Sequence, residues 1–242
     1  MFISFEGVDG SGKSTQARLL ADHLRAAGQT VLLTREPGGS AGAEEIRRLL
    51  VQGGADRWSP ETELLLFNAA RRDHVERAIR PALARGDWVI SDRFADSSRV
   101  YQGAARADLR TLVDELHALV IGIEPDLTLV IDIDPAEGLA RAARRAPAGS
   151  ASAQVAAQTA PTALSAAGAA LPPADALPLS DGAEDRFESL GLAFQQRLRD
   201  GFLSLAAEYP QRVRLIDGTG TTSEVAARVA DLVDAHRGPQ TT

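Results

Sequence analysis

Nine residues near the start of the chain, Gly7-Val8-Asp9-Gly10-Ser11-Gly12-Lys13-Ser14-Thr15, follow the spacing G-x-x-x-x-G-K-[ST]. Glycines in such a loop let the backbone turn its N–H groups inward around phosphate oxygens, and a helix opening at the lysine adds partial positive charge. Lys13 is then placed to reach β and γ phosphates, and Ser14 to offer a hydroxyl to Mg2+. The chain has 26 Lys plus Arg, and Lys13 is its only lysine. A glycine turn with a solvated lysine is the plain alternative, but strand, loop, helix and sole lysine coincide here. The loop points to a nucleotide site, and it leaves the reaction open.

Other groups able to do chemistry lie far away in sequence. Thr34-Arg35-Glu36-Pro37-Gly38-Gly39 precedes Glu44-Glu45-Ile46-Arg47-Arg48, while Ser91-Asp92-Arg93-Phe94 precedes Ser97-Ser98-Arg99-Val100-Tyr101-Gln102. Taken singly, the first suits an ordinary turn, Asp92-Arg93 a structural ion pair, and Arg47 a solvated helix charge. Their meaning depends on whether the fold brings them together.

The elements that would do so are legible. Runs rich in β-branched and apolar residues at 2–6, 30–34, 88–91, 127–133 and 213–216 alternate with helical patterns, such as 14–27 and 60–84. Alternation of this kind predicts a parallel five-stranded sheet covered by helices on both faces, an α/β fold. The carboxyl ends of such strands share one crevice, so Lys13, Glu36, Asp92 and Arg93 should converge there. Residues 146–183 break the pattern, being mostly Ala, Pro, Ser, Thr, Gln and Gly with two charges and no aromatic residue, and are expected to be an insertion without fixed structure. A helical pattern resumes from Glu184, with Phe187, Leu190, Phe194, Leu198 and Leu205 near one face.

Composition narrows the classes. With 242 residues and 44% hydrophobic residues there is room for a full core, and the absence of cysteine removes disulfides, thiolate metal sites and cysteine nucleophiles. A net charge of −7 argues against broad nucleic-acid or anionic-membrane binding, so any phosphate recognition must be local. No run approaches the roughly 18 to 20 apolar residues needed to span a bilayer and no targeting signal is visible, so a cytoplasmic protein is expected.

Five motifs in order resemble the thymidylate kinases, the family converting dTMP to dTDP. They are Phe5-Glu6-Gly7-Val8-Asp9 with the loop, Arg35-Glu36-Pro37-Gly38-Gly39, Leu66-Phe67-Asn68-Ala69-Ala70-Arg71, Asp92-Arg93-Phe94 with Tyr101-Gln102, and Glu124-Pro125-Asp126-Leu127-Thr128. The resemblance covers about 1–145 and 184–235. It implies a P-loop NTPase-like three-layer fold, one domain over 1–242, and a lid at 139–190 carrying the Ala/Pro-rich insertion 146–183.

By the same resemblance, ATP occupies Gly7 to Thr15, and dTMP meets Asp9, Glu36, Pro37, Arg47, Phe67, Arg71, Arg93, Ser97, Ser98, Tyr101 and Gln102. Phe67 stacks on thymine, Arg71 bonds its O4 edge, Ser98 and Gln102 complete the base contact, and Tyr101 excludes a 2′-hydroxyl. Arg47 and Arg93 clamp the monophosphate, as paired guanidinium donors can. Asp9 and Glu36 match acidic positions near sugar, acceptor phosphate and metal. Ser14 and Asp92 are the expected Mg2+ residues, with Asp92 ordering the ion or its waters. Family members carry a further catalytic arginine either beside the loop aspartate or in the lid. Gly10 occupies the loop position here, so Arg141, Arg144, Arg145 and Arg186 are the candidates. Homodimers are common in the family, and Leu64, Leu65, Leu66, Leu112, Leu116 and Leu119 offer an apolar face that core packing would explain equally well. A kinase for another nucleoside monophosphate or a deoxynucleoside, and a catalytically silent nucleotide-binding protein, are the competing readings.

Overall fold

The computed structural model describes residues 1–51, 57–106, 108–145 and 190–237. The insertion at 146–183 and Arg186 lie outside the described residues, as does the side chain of Arg145.

Five strands, β1 (Phe2–Glu6), β2 (Val31–Arg35), β3 (Trp88–Asp92), β4 (Leu127–Asp132) and β5 (Val213–Asp217), form one all-parallel sheet in the order β2-β3-β1-β4-β5. Alternation along the strands divides the core into two faces. Ile3, Phe5, Ile90, Leu129 and Ile131 pack under α1 (Lys13–Ala26) and the C-terminal helix. On the opposite face, Phe2 and Val89 join Val75, Ile79, Phe94 and Ile121, while Val130 and Val213 join Phe194, Leu198 and Phe202. Helices on both faces explain why β1 and β3 are buried along their whole length, Ser4, Glu6, Ser91 and Asp92 included.

The chain returns to opposite sides of β1, and the crevice opens where the order reverses. The β1–α1 loop carries the glycines. After β2 come Glu36 and α2 (Ala41–Val51), then α3 (Pro60–His74) and α4 (Arg80–Ala84). After β3 come α5 (Ala95–Val100) and α6 (Arg110–Leu116), and after β4 comes α7 (Pro135–Arg145). Two more helices follow the undescribed stretch, α8 (Leu192–Glu208) and α9 (Thr222–Arg237).

The structure departs from the sequence expectation at several element edges. The helix expected over 60–84 is interrupted by a wider π turn at Val75–Ile79, where the Arg80 N–H bonds the Val75 carbonyl. Pro81 lacks an N–H, so the ordinary ladder cannot run through it. Of the helical pattern expected from Glu184, residues 184–189 lie outside the described residues, and a helix is described from Leu192, after Gly191 at φ 78. Leu190, expected on the inward face, lies outside that helix and is exposed.

Candidate active site

The phosphate loop begins at Gly7, whose φ of 135 is combined with the Ile131 carbonyl oxygen only 2.6 Å from where a Cβ would sit. At Gly10 the constraint is more severe. Its φ is 73, and a Cβ would lie 1.9 Å from the carbonyl oxygen of Gly138 on α7. Gly138 is equally confined, since its own Cβ would fall 2.5 Å from the Asp9 carbonyl oxygen. Loop and helix therefore touch backbone to backbone, and no side chain fits at position 10. Gly12, also left-handed, precedes α1, and Lys13 opens the helix with its ammonium donating to the Val8 carbonyl at 2.9 Å.

Asp9 is bonded through both carboxylate oxygens and its backbone N–H. Its Oδ1 accepts from Arg93 Nη2 at 2.7 Å and from the Tyr101 hydroxyl at 3.2 Å. Its Oδ2 accepts from Gln195 Nε2 at 2.7 Å, and its N–H donates to Gln195 Oε1 at 3.2 Å. Burial alone would raise the Asp9 pKa, but Arg93 and Lys13 outweigh it and hold the carboxyl below its ordinary value.

Arg93 is the one non-glycine residue with positive φ, at 72, among the described residues. A strained backbone of this kind costs of the order of 1–3 kcal/mol and persists only where its surroundings hold it. Here the Arg93 N–H donates to the Phe5 carbonyl at 2.9 Å, its carbonyl accepts from Ser91 Oγ at 2.7 Å, and its guanidinium lies over the Tyr101 ring. Glu6 secures the next turn, accepting from the Phe94 N–H at 2.8 Å and from Ser97 Oγ at 2.6 Å. Burial, reinforced by Asp96, pushes the Glu6 pKa up to about 7.

On the β2 side, Glu36 donates its N–H to the Asp92 carbonyl at 2.9 Å, continuing the ladder past the strand. Its Oε2 accepts from Arg71 Nε at 2.6 Å, and its Oε1 lies 3.0 Å from His74 Nδ1. Although burial opposes ionisation, Arg71 and His74 keep the Glu36 carboxyl below its ordinary pKa. Arg71 also donates to Ser98 Oγ and to the Phe94 carbonyl, both at 3.1 Å. Arg47, which sequence alone would leave solvated, is 6% exposed and donates to the Pro37 carbonyl at 2.7 Å.

These groups line a pocket open to solvent, formed by Asp9, Glu36, Pro37, Arg47, Phe67, Arg71, Arg93, Ser97, Ser98, Tyr101 and Gln102, joined by Leu50, Val51 and Phe94. The lining combines an aromatic face, three guanidinium groups, three hydroxyls, two carboxylates and an amide. Such a set suits a planar base at one contact and an anion at another. Asp92 is buried at the end of β3 and Ser14 lies in the first turn of α1; neither lines the cavity. Arg141 is drawn away from it as well, pairing with Glu137 on its own helix and donating to the Gly218 carbonyl at 3.4 Å. Arg144 is exposed and bonds the Ala140 carbonyl.

A family model described as thymidylate kinase matches residues 5–164. The chain belongs to the thymidylate kinase family. It is 56% identical over 236 residues to a thymidylate kinase of Ruegeria pomeroyi, covering 98% of this chain and 95% of that relative. A thymidylate kinase of Dinoroseobacter shibae is 58% identical over 227 residues, covering 94% and 93%. The first of these spans runs through 146–183, which the motif resemblance leaves out. Among solved structures, the crystal structure of thymidylate kinase from Ehrlichia chaffeensis aligns with a TM-score of 0.66 at 32% identity, covering 96% of this chain and 98% of that one.

Sequence reasoning missed four residues of this thymidylate kinase family member's site. Gln195 follows Phe194 on the inward stripe of α8, a polar residue at a core position. His74 shares a helix face with Phe67 and Arg71 through spacings of four and three. Glu63, on α3, receives Gln102 Nε2 at 2.9 Å and is buried. Glu6 stood inside a quoted motif without a role. The one signal each gave is that of a polar residue on a face otherwise assigned to the core, which names no partner.

Proposed function

We propose that the crevice transfers the γ-phosphoryl group of ATP to dTMP, giving dTDP and ADP. One observation carries this reading. Asp9 belongs to the phosphate loop and also lines the neighbouring cavity, so nucleotides in the two places would meet at Asp9 and the Arg93 bonded to it.

In this reading the N–H groups of Gly7 to Thr15 and the Lys13 ammonium hold the ATP phosphates. Phe67 stacks on thymine, Arg71 donates to its O4 edge, Ser98 and Gln102 complete the base contact, and Tyr101 fills the space of a 2′-hydroxyl. Arg47 and Arg93 clamp the acceptor phosphate, while Glu36, Pro37 and Ser97 shape the wall. Catalysis is positioning and charge neutralisation, since phosphoryl transfer needs little covalent help from protein. A guanidinium on the transferring group contributes roughly 10³- to 10⁵-fold in rate, and Arg141, Arg145 and Arg186 in the lid region 139–190 are our candidates for one beyond Arg93.

The Ser14 hydroxyl and Asp92 carboxylate are hard oxygen donors of the type Mg2+ takes alongside substrate phosphates, so the residues present fit that ion. Ser14 would hold it and Asp92 would orient it or its waters; when bound it neutralises phosphate charge. We also propose a homodimer, supported by Leu65 and Leu119, which are 57% and 82% exposed on neighbouring elements. The same reading treats 1–242 as one domain working in the cytoplasm, in keeping with the lack of a membrane-crossing helix among the described residues.

The test is coupled detection of ADP with dTMP, dUMP, CMP, GMP and thymidine as acceptors. The expected result is fastest turnover with dTMP. A faster rate with CMP, GMP or thymidine would move the assignment to another kinase, and no ADP with any acceptor would leave a silent nucleotide-binding protein.

A further inference from the structure

We infer that His74 is a positioning residue for base recognition, fixing Glu36 and, through Glu36, the guanidinium of Arg71 that faces the cavity. The inference rests on the dTMP reading above and adds a residue to it.

His74 closes α3 and has no solvent exposure. Its Nε2 lies 2.8 Å from Thr34 Oγ1 on β2, and its Nδ1 3.0 Å from Glu36 Oε1. The other oxygen of Glu36 accepts from Arg71 Nε at 2.6 Å. A continuous relay therefore runs from a strand, through the imidazole and a carboxylate, to the guanidinium, which Ser98 and the Phe94 carbonyl hold at its far side. Those contacts engage one N–H on each of the three guanidinium nitrogens. One N–H on each Nη remains for a ligand, and the direction of both is set by how Glu36 holds Nε.

The imidazole suits this task because it bonds at two edges in a rigid plane. An ionised Glu36 can only accept, so Nδ1 carries the proton toward it and Nε2 meets the threonine hydroxyl. A second observation shows that the ring has one place to be. A Cβ at Gly39, where φ is 84, would lie 2.4 Å from both His74 Nε2 and Thr34 Oγ1, so the Glu36–Gly39 turn closes directly over this pair. The second glycine of that turn makes room for the histidine. Without the ring, Glu36 Oε1 would be buried without a donor, and the carboxylate would be free to rotate and release Arg71.

The measurement is kcat and KM for dTMP, dCMP and ATP in wild type, His74→Ala, His74→Asn and Thr34→Val, with thermal unfolding of each. Cytosine carries an amino group where thymine carries O4, so dCMP reads the donors of Arg71. His74→Ala should raise KM for dTMP about 10-fold or more and narrow the preference for dTMP over dCMP, with KM for ATP within about twofold. His74→Asn, which keeps a donor near the Nδ1 position, should recover most of the preference. Thr34→Val, which cuts only the outer link, should move KM for dTMP a few-fold in the same direction, and it serves if His74→Ala does not fold. An unchanged dTMP-to-dCMP ratio in the alanine and valine variants, or KM for ATP and dTMP rising together, would overturn the inference. A wild type with no preference for dTMP would instead overturn the functional reading beneath it.

Discussion

Glu6 is sealed between β1 and the Arg93 turn, and its raised pKa gives the protein a pH dependence opposite to that from Asp9, Glu36 and Asp96. With a folded pKa of about 7 against an ordinary 4.5, the native state holds a proton that the unfolded chain has lost. Stability from this group is therefore present at low pH and declines as pH rises from about 4.5 through 7. Asp9, Glu36 and Asp96 have depressed values, so their contribution is present above the ordinary carboxylate range and is lost on acidification. Denaturant unfolding of wild type should lose about 2 kcal/mol from Glu6 between pH 5.5 and 8. Glu6→Gln should show a correspondingly flatter slope in that window, and an identical slope would mean Glu6 does not titrate there. Lys13→Ala tests a charge rather than a proton. Turnover should fall by roughly 10³-fold with far-UV circular dichroism unchanged, and near-normal turnover would remove the loop from the chemistry.

At this scale the sequence was most informative where a residue type is tied to a backbone shape. The glycines and the sole lysine mark the loop because few other arrangements need them. Gln195, His74, Glu63 and Glu6 were illegible for the opposite reason. A buried polar residue has the same spacing as the core residues beside it, and only the fold reveals the partner that satisfies it.

At the scale of elements, the site depends on where strands end. Registers of Phe5 with Asp92 and Arg35 with Asp92 bring the three loops after β1, β2 and β3 level with one another. That convergence was legible from alternating strands and helices alone. The edges were not, since the π turn before Pro81 depends on local hydrogen bonding that apolar periodicity does not record. Helix α7 contributes through Gly138, which presses on Gly10 and bars a side chain there. Gly10→Ala should lower stability by at least about 2 kcal/mol, from left-handed strain and collision with a backbone that cannot swing aside. Thermal unfolding and KM for ATP would report it, and an unperturbed variant would show that α7 yields readily.

At the scale of the whole molecule, every described residue lining the pocket falls between Asp9 and Gln102, while 146–183 lies beyond it in sequence. Deleting 149–178 should therefore leave KM for dTMP within about twofold, although ATP turnover can change through the lid arginines. A large rise in KM for dTMP would give that stretch a part in the acceptor site. The exposed pair Leu65 and Leu119 carries a separate expectation. Leu119→Glu should convert a dimer to monomer in sedimentation, and a wild type already monomeric at micromolar concentration would remove the homodimer from the proposal.

Gln195 grips Asp9 by both its side chain and its N–H across most of the polypeptide. A ribosome makes the aspartate long before it makes the glutamine that immobilises it. During synthesis the loop at Gly7 to Thr15 thus waits, incompletely braced, for a helix made much later in the chain. On the proposed reading, competence for ATP would come only once Gln195 has emerged, 186 positions after Asp9.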